Sequence, residues 1–186
     1  MRILLCIDDT DNPESRGTGA LASELARDLE EHGWGKSRFI TRHQLLVHPD
    51  IPYTSHNSAM CFAAEIDSAA LHSIISHAST FLVRESAAGS DPGLCVVAVD
   101  RVRSPETLIA FGQRAKQAVL AKPDAYALAK QLGVHLSEHG GSGHGMHRPE
   151  WRERVSGREG RLARRRPDGC ALSHVQSRCR GRTGCR

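Results

Sequence analysis

The sequence predicts an α+β fold: a mixed or antiparallel sheet built on the element order βαββαβ, followed by two further helices. Three observations carry this. Apolar strand-like runs and helical stretches alternate in that order along residues 1–99. Two of the strands follow one another with only a loop between them, which breaks the strict alternation of a doubly wound sheet. Two proline-led helical stretches, at Ser104-Pro105 and Pro123-Asp124, come after the fourth strand.

Ile3-Leu4-Leu5 is a short continuous apolar run and reads as a buried strand. From Gly17 a helix runs to about His32, with Leu21, Leu25 and Leu29 on one stripe and Gly33 as its stop. Arg38 to His48 is the second strand, with Phe39-Ile40 and Leu45-Leu46-Val47 as its apolar parts. A loop over 49–58, carrying Pro49 and Pro52, leads into the third strand, Ala59 to Ile66. Asp67 caps a second helix whose apolar face is Leu71, Ile74, Ile75, Ala78 and Leu82. A Gly/Ser/Pro loop over 87–93 precedes the fourth strand, Leu94 to Val99. The third helix reaches about Ala121, the fourth ends at Gly133, and Val134 to Glu138 suits another strand. This is the split βαβ, or ferredoxin-like, arrangement, with two helices on one face of the sheet and the C-terminal helices as additions.

The chemistry concentrates where the first strand ends. Asp8, Asp9 and Asp11 bring three carboxylates within four residues, Asn12-Pro13 forces a turn, and Gly17-Thr18-Gly19 opens the first helix. Acidic turns are common structural devices, but three crowded carboxylates repel unless a cation or basic partner is present. Hard oxygen ligands suit Mg²⁺, which is commonly held by one or two carboxylates together with phosphates. Free N–H groups and the dipole of a helix start suit phosphate oxygens. The expectation is therefore a magnesium–phosphate site, with Asp8, Asp9 and Asp11 as metal-binding and catalytic groups and Gly17, Thr18 and Gly19 on the phosphates. Asp9 and Asp11 are expected as the nearer ligands. The stretch Gly17 to Ala22 matches a loose dinucleotide pattern, but an acidic loop separates it from the strand and no carboxylate follows at 37–41. No Walker A lysine is present.

Two other segments join this reading. Gly140, Gly141, Ser142 and Gly143 form a second glycine loop able to present converging N–H groups to an anion. Arg42 and His43 on the second strand, with His56 and Asn57 in the long polar loop after it, are the candidates for substrate contact.

The chain of 186 residues carries 25 Lys and Arg against 21 Asp and Glu, but the excess is uneven. Residues 1–146 hold 13 basic and 17 acidic side chains, whereas 147–186 hold 12 Arg and 4 acids. The expected division is a catalytic body over 1–146 and an Arg-rich tail over 147–186. That tail shows no countable periodicity and reads as disordered, RNA-contacting or the product of an out-of-frame reading. Cys6, Cys61 and Cys95 lie in apolar runs and read as buried free thiols, which points to a reducing, cytoplasmic compartment. No run of 18 apolar residues occurs and the first strand starts at once, so neither a membrane span nor a signal peptide is expected.

Ile7-Asp8-Asp9-Thr10-Asp11 followed by Arg16-Gly17 resembles the opening of the tRNA-Ile agmatinylcytidine synthetase family. Pro49-Asp50-Ile51-Pro52-Tyr53 with His56-Asn57, and Gly140-Gly141-Ser142-Gly143, resemble two further segments of its kinase-like domain. The resemblance covers roughly residues 1–145. The family's turn carries a Cys-Thr-Thr run, where this chain has Gly17-Thr18-Gly19-Ala20, so Thr18 alone corresponds, and the resemblance implies it as a further catalytic group. The resemblance implies Mg²⁺ and ATP as cofactors and an ATP-dependent phosphotransfer that activates a nucleic-acid or small-molecule acceptor, in the manner of tRNA modification. Two alternatives stand beside it. One is a non-catalytic nucleotide- or RNA-binding ferredoxin-like module. The other is a haloacid-dehalogenase-like phosphatase with Asp9 as nucleophile, which requires a parallel sheet.

Overall fold

The computed structural model describes residues 1–49, 51 and 57–140. Five strands form one sheet: β1 (Arg2–Asp8), β2 (Gly35–Gln44), β3 (Ser58–Ile66), β4 (Gly93–Ala98) and β5 (His135–Glu138). Four helices accompany them: α1 (Thr18–Glu31), α2 (Leu71–Glu85), α3 (Pro105–Ala115) and α4 (Lys122–Leu132). The strands lie in the order β2-β3-β1-β4-β5, and each of the four pairings is antiparallel. The architecture is mixed α+β, and the parallel switch point needed by the phosphatase alternative is absent among the described residues. That alternative is set aside: Asp9 follows a strand whose two neighbours both run against it. The Arg-rich tail expected over 147–186 lies outside the described residues.

β1 is the centre of the sheet and is buried on both sides, which explains its unbroken apolar run. Its odd positions, Ile3, Leu5 and Ile7, pack with Leu21, Leu25 and Leu29 of α1 and Ile74, Phe81 and Leu82 of α2. Its even positions, Leu4 and Cys6, pack with Leu108 and Phe111 of α3 and Ala125, Ala129 and Leu132 of α4. The C-terminal helices thus cover the face that α1 and α2 leave open.

Several expectations need correction. Cys6 and Cys61 are not free thiols. They face each other across β1 and β3 with Cα atoms 4.2 Å apart and form a disulfide, and Cys95 is buried outside it. Cysteines 55 positions apart in sequence give no sign of this register, and the argument for a reducing compartment loses two of its three thiols. β2 stops at Gln44, short of the predicted His48, because its pairing with β3 ends at Gln44 and Ser58. Leu45 and Leu46 are instead held by Asn57: the Leu45 N–H donates to the Asn57 carbonyl at 2.8 Å, and the Asn57 side-chain amide donates to the Leu46 carbonyl. The Asp67 carboxylate accepts from the Ala69 N–H at 3.0 Å and caps a short 3₁₀ turn, Ser68–Ala70, before α2 begins. α3 ends at Ala115 rather than Ala121. α4 ends as read, with Gly133 at φ +74°, a backbone conformation that suits glycine. No helix among the described residues is long and apolar enough to cross a membrane.

Candidate functional site

The register collects the candidate residues at one end of the sheet. Asp8 at the end of β1 stands opposite Gly93 at the start of β4, and Gly93 stands opposite Glu138 at the end of β5. On the other side, Ile7 pairs with Met60 of β3, which pairs with Arg42 of β2. Asp8, Asp9, Arg42, His43, Asn57 and Gly140 therefore share one sheet edge, although they come from four distant parts of the chain.

Asp8 is buried at 6 % exposure, where an ionised carboxylate is costly to keep. Asp9 has φ +46°, and no other described non-glycine residue has a positive φ. Aspartate tolerates this left-handed conformation better than most residues. The chain leaves the strand at Asp9, and the turn swings Asp11 toward the start of α1. There the Thr18 hydroxyl donates to Asp11 Oδ1 at 3.3 Å, while the buried Thr10 hydroxyl donates to Thr18 Oγ1 at 3.1 Å. The backbone carbonyl of Thr10 accepts from Ala87 N–H at 2.9 Å, which ties the acidic turn to the loop after α2. Arg16 makes ion pairs with Glu24 and with Glu85, the latter at 3.0 Å, and so joins the start of α1 to the end of α2.

The first turn of α1 has no side-chain cap and no acidic residue. Its glycines are not forced by packing. A Cβ on Gly17 would come no nearer than 3.9 Å, to Asp11 Oδ2, and one on Gly19 would meet the Met60 thioether at 3.8 Å. An open helix start beside an acidic turn has the donor chemistry of a metal–phosphate site: hard oxygen donors next to N–H groups. Among the described residues no three His, Cys, Asp or Glu side chains converge as a metal cluster, so Asp8, Asp9 and Asp11 do not close a three-carboxylate cage on their own. The residues fit Mg²⁺ as one or two carboxylates completed by ligand oxygens.

Arg42 and His43 part company. Arg42 shares the face of Met60, hence of α1, and its Nε donates to Ser58 Oγ at 3.0 Å. His43 pairs with Ala59 and lies on the α3/α4 face, its Nε2 2.8 Å from the Thr41 hydroxyl. Asn57 braces the 45–46 segment through the bonds described above. His56, Gly141, Ser142 and Gly143 lie outside the described residues; Gly140 lies at the same sheet end, after His139, whose N–H donates to the Pro92 carbonyl at 2.8 Å. Sequence reasoning missed Thr10 and the His135-x-Ser137-x-His139 alternation on β5. The alternation was legible as a period-two polar stripe; the burial of Thr10 was not.

No family model matches this sequence, and no curated protein matches it. Solved structures do. The chain aligns with apo TiaS, an agmatidine synthetase for an isoleucine tRNA, at a TM-score of 0.67 and 21 % identity, over 95 % of this chain and 35 % of that one. It aligns with the complex of TiaS with that tRNA and ATP at 0.66 and 21 %, over 95 % and 36 %. It aligns with the complex of TiaS with that tRNA, AMPCPP and agmatine at 0.61 and 22 %, over 77 % and 34 %. This is a distant structural match that establishes a shared fold, and the chain spans about a third of the length of those structures.

Proposed function

We propose that this chain binds Mg-ATP at the turn between β1 and α1 and uses it to activate an acceptor, in the manner of an ATP-dependent RNA-modifying enzyme. The observation that carries the reading is the Thr10–Thr18–Asp11 hydrogen-bond chain, which fastens an acidic turn to a helix start that no side chain caps. The fold neighbours include complexes with ATP and tRNA, which supports the choice of nucleotide and RNA as partners. We read the βαββαβ portion as ferredoxin-like, residues 1–146 as the kinase-like body, and 147–186 as its Arg-rich tail.

Asp9 and Asp11 supply carboxylate oxygens to the cation, and Asp8, at the sheet, orients the turn. Gly17, Thr18 and Gly19 offer backbone N–H groups to phosphate oxygens, with Gly140 on the other flank. Arg42, on the α1 face, is the side-chain cation for charge developing on the transferred group; His43, on the opposite face, is removed from that role, and Asn57 serves the 45–57 loop. Bound Mg-ATP supplies the activated phosphoryl group, and the protein's part is positioning and electrostatic stabilisation.

Calorimetry with ATP, with and without Mg²⁺, tests the reading. Magnesium-dependent binding that Asp11→Asn weakens supports it. Absence of binding in both conditions rejects it, and binding without turnover of any acceptor leaves the non-catalytic nucleotide module as the better account.

A further inference from the structure

On β5, His135, Ser137 and His139 alternate and so share one side of the strand. His135 pairs with Val96 and Ser137 with Leu94, which puts the stripe on the α1/α2 side of the sheet, the side of the acidic turn. Ser137 Oγ lies 3.0 Å from His135 Nε2 and 2.9 Å from His139 Nε2. All three side chains are half-buried. Glu138 is level with Gly93 and Gly93 with Asp8, so His139 stands at the acidic end of the sheet. Two strand spacings, on the order of 10 Å, separate it from β1. That distance suits a group on the far side of a bound triphosphate, where an acceptor would approach.

A hydroxyl has one proton, so Ser137 can donate to only one of the two rings, and when the other ring donates to it the ladder is ordered head to tail. Either His135 Nε2–H donates to Ser137 and Ser137 donates to His139 Nε2, or the reverse. Reversal converts His139 Nδ1 from a donor into an acceptor.

We propose that His139 is the general base that takes the proton from the acceptor, with Ser137 and His135 as positioning residues that pass that charge along β5. The inference rests on the Mg-ATP reading above. In the step, an acceptor O–H or N–H attacks a phosphorus of ATP. The new bond to phosphorus forms as the phosphoanhydride P–O bond breaks, and its electron pair leaves on the departing phosphate oxygen. The acceptor's proton goes to His139 Nδ1, the Nε2 proton of His139 moves to Ser137 Oγ, and the Ser137 proton moves to His135 Nε2. Burial lowers the pKa of both imidazoles, and the neighbouring His135 lowers that of His139 further. Both are thereby kept neutral at neutral pH, the form a base requires.

The test uses the full 186-residue chain with Ser137→Ala, Ser137→Thr, His139→Gln and His139→Ala. Mg-ATP affinity is measured by calorimetry and turnover with water and with a primary amine, agmatine, as acceptors. The expected result is unchanged nucleotide affinity in all four, with turnover lower by about 10²–10⁴-fold in both His139 variants. Ser137→Ala should lose turnover and Ser137→Thr, which keeps the hydroxyl, should regain it. Added imidazole should restore His139→Ala. Wild-type turnover in the His139 variants overturns the proposal, as does a loss that imidazole fails to rescue while affinity falls in parallel. A wild type that binds Mg-ATP and turns over neither acceptor also overturns it, whereas a wild type that binds no Mg-ATP rejects the nucleotide reading itself.

Discussion

The two faces of the central strand are held by different chemistry. Toward α1 and α2, β1 presents Ile3, Leu5 and Ile7 to an aliphatic core around Phe62, and this face leads directly into the acidic turn and the open start of α1. Toward α3 and α4, it presents Leu4 and Cys6, and Cys6 is level with both Cys61 and Cys95 on one rung of three strands. That second face is closed by two helices and a covalent link, and its end residue, Asp8, is buried. The contrast teaches that one strand can support two packed faces of different character, one carrying a covalent link and the other leading into the turn proposed to bind a ligand. The polar residues of the first face should therefore be separable from stability, and those of the second should not.

The largest effects should come from the packed interior. Phe62→Ala removes a fully buried ring from the α1/α2 core and should cost about 3–5 kcal/mol, read from urea unfolding. Opening the Cys6–Cys61 bridge frees a loop with a sequence separation of 55, for which chain entropy predicts a loss of about 4 kcal/mol. Cys6→Ala is the cleaner variant, because Cys61 and Cys95 are each in register with position 6 and not with one another. Equal melting temperatures with and without reductant would break the comparison, since the α3/α4 face would then owe nothing to its link.

Next comes the acidic turn. Asp11→Asn keeps an oxygen for the Thr18 hydroxyl and removes one charge from a crowded cluster. Stability should stay level or rise, while Mg-ATP affinity falls by about tenfold or more, or about 1.4 kcal/mol at the least. Equal affinities in the two proteins would mean that Asp11 only braces the turn. A smaller effect with the same logic concerns Gly19, inside the first turn of α1. Its Cβ would make ordinary contact with Met60, so Gly19→Ala should stabilise the helix by about 0.5–1 kcal/mol. If phosphate oxygens approach this backbone, the same change lowers nucleotide affinity. Stabilisation with full affinity would show that the glycine is not reserved for a ligand.

Much of this is legible in the sequence, for physical reasons that also mark its limits. Elements with strong periodicity are readable: Leu21, Leu25 and Leu29 are buried on α1, and Ile74, Ala78 and Leu82 on α2. Burial of β1 follows from its unbroken apolar run. Register is not readable, because nothing local encodes which residue stands opposite which. That is why the disulfide escapes sequence reasoning, and why Arg42 and His43, adjacent in sequence, share one expected role although they lie on opposite faces. Leu45, Leu46 and Val47 look like strand because apolar runs do, whereas the strand pairing ends at Gln44 and Ser58, and the Asn57 bonds to 45 and 46 depend on a residue from beyond the loop. The crowded carboxylates are visible, whereas the positive φ of Asp9 and the Thr10–Thr18 contact emerge only when the turn is folded.

The smallest expected effect is a pH dependence, and it belongs to the α1/α2 face. Desolvation lowers the pKa of His135 and of His139 from the usual value near 6.5, and the neighbouring His135 lowers that of His139 further. In the unfolded chain both return to that ordinary value. The unfolded state therefore binds more protons than the folded state between the two pKa values, and stability rises with pH there. The contribution is fully present above the unfolded value. It is lost progressively as pH falls through that value toward the folded one, and below the folded pKa no further loss accrues. Both rings retain solvent contact, so water screens the effect and the shift in melting temperature should be modest. Comparing wild type with a His135→Gln, His139→Gln double variant between neutral and mildly acidic pH isolates it from the carboxylates, which both proteins share. The variant's profile should be flatter over the upper part of that range and parallel to wild type at lower pH. Profiles that stay parallel throughout would mean that the stripe on β5 is solvated like any exposed edge, and the distinction between the two faces would then have to rest on the acidic turn alone.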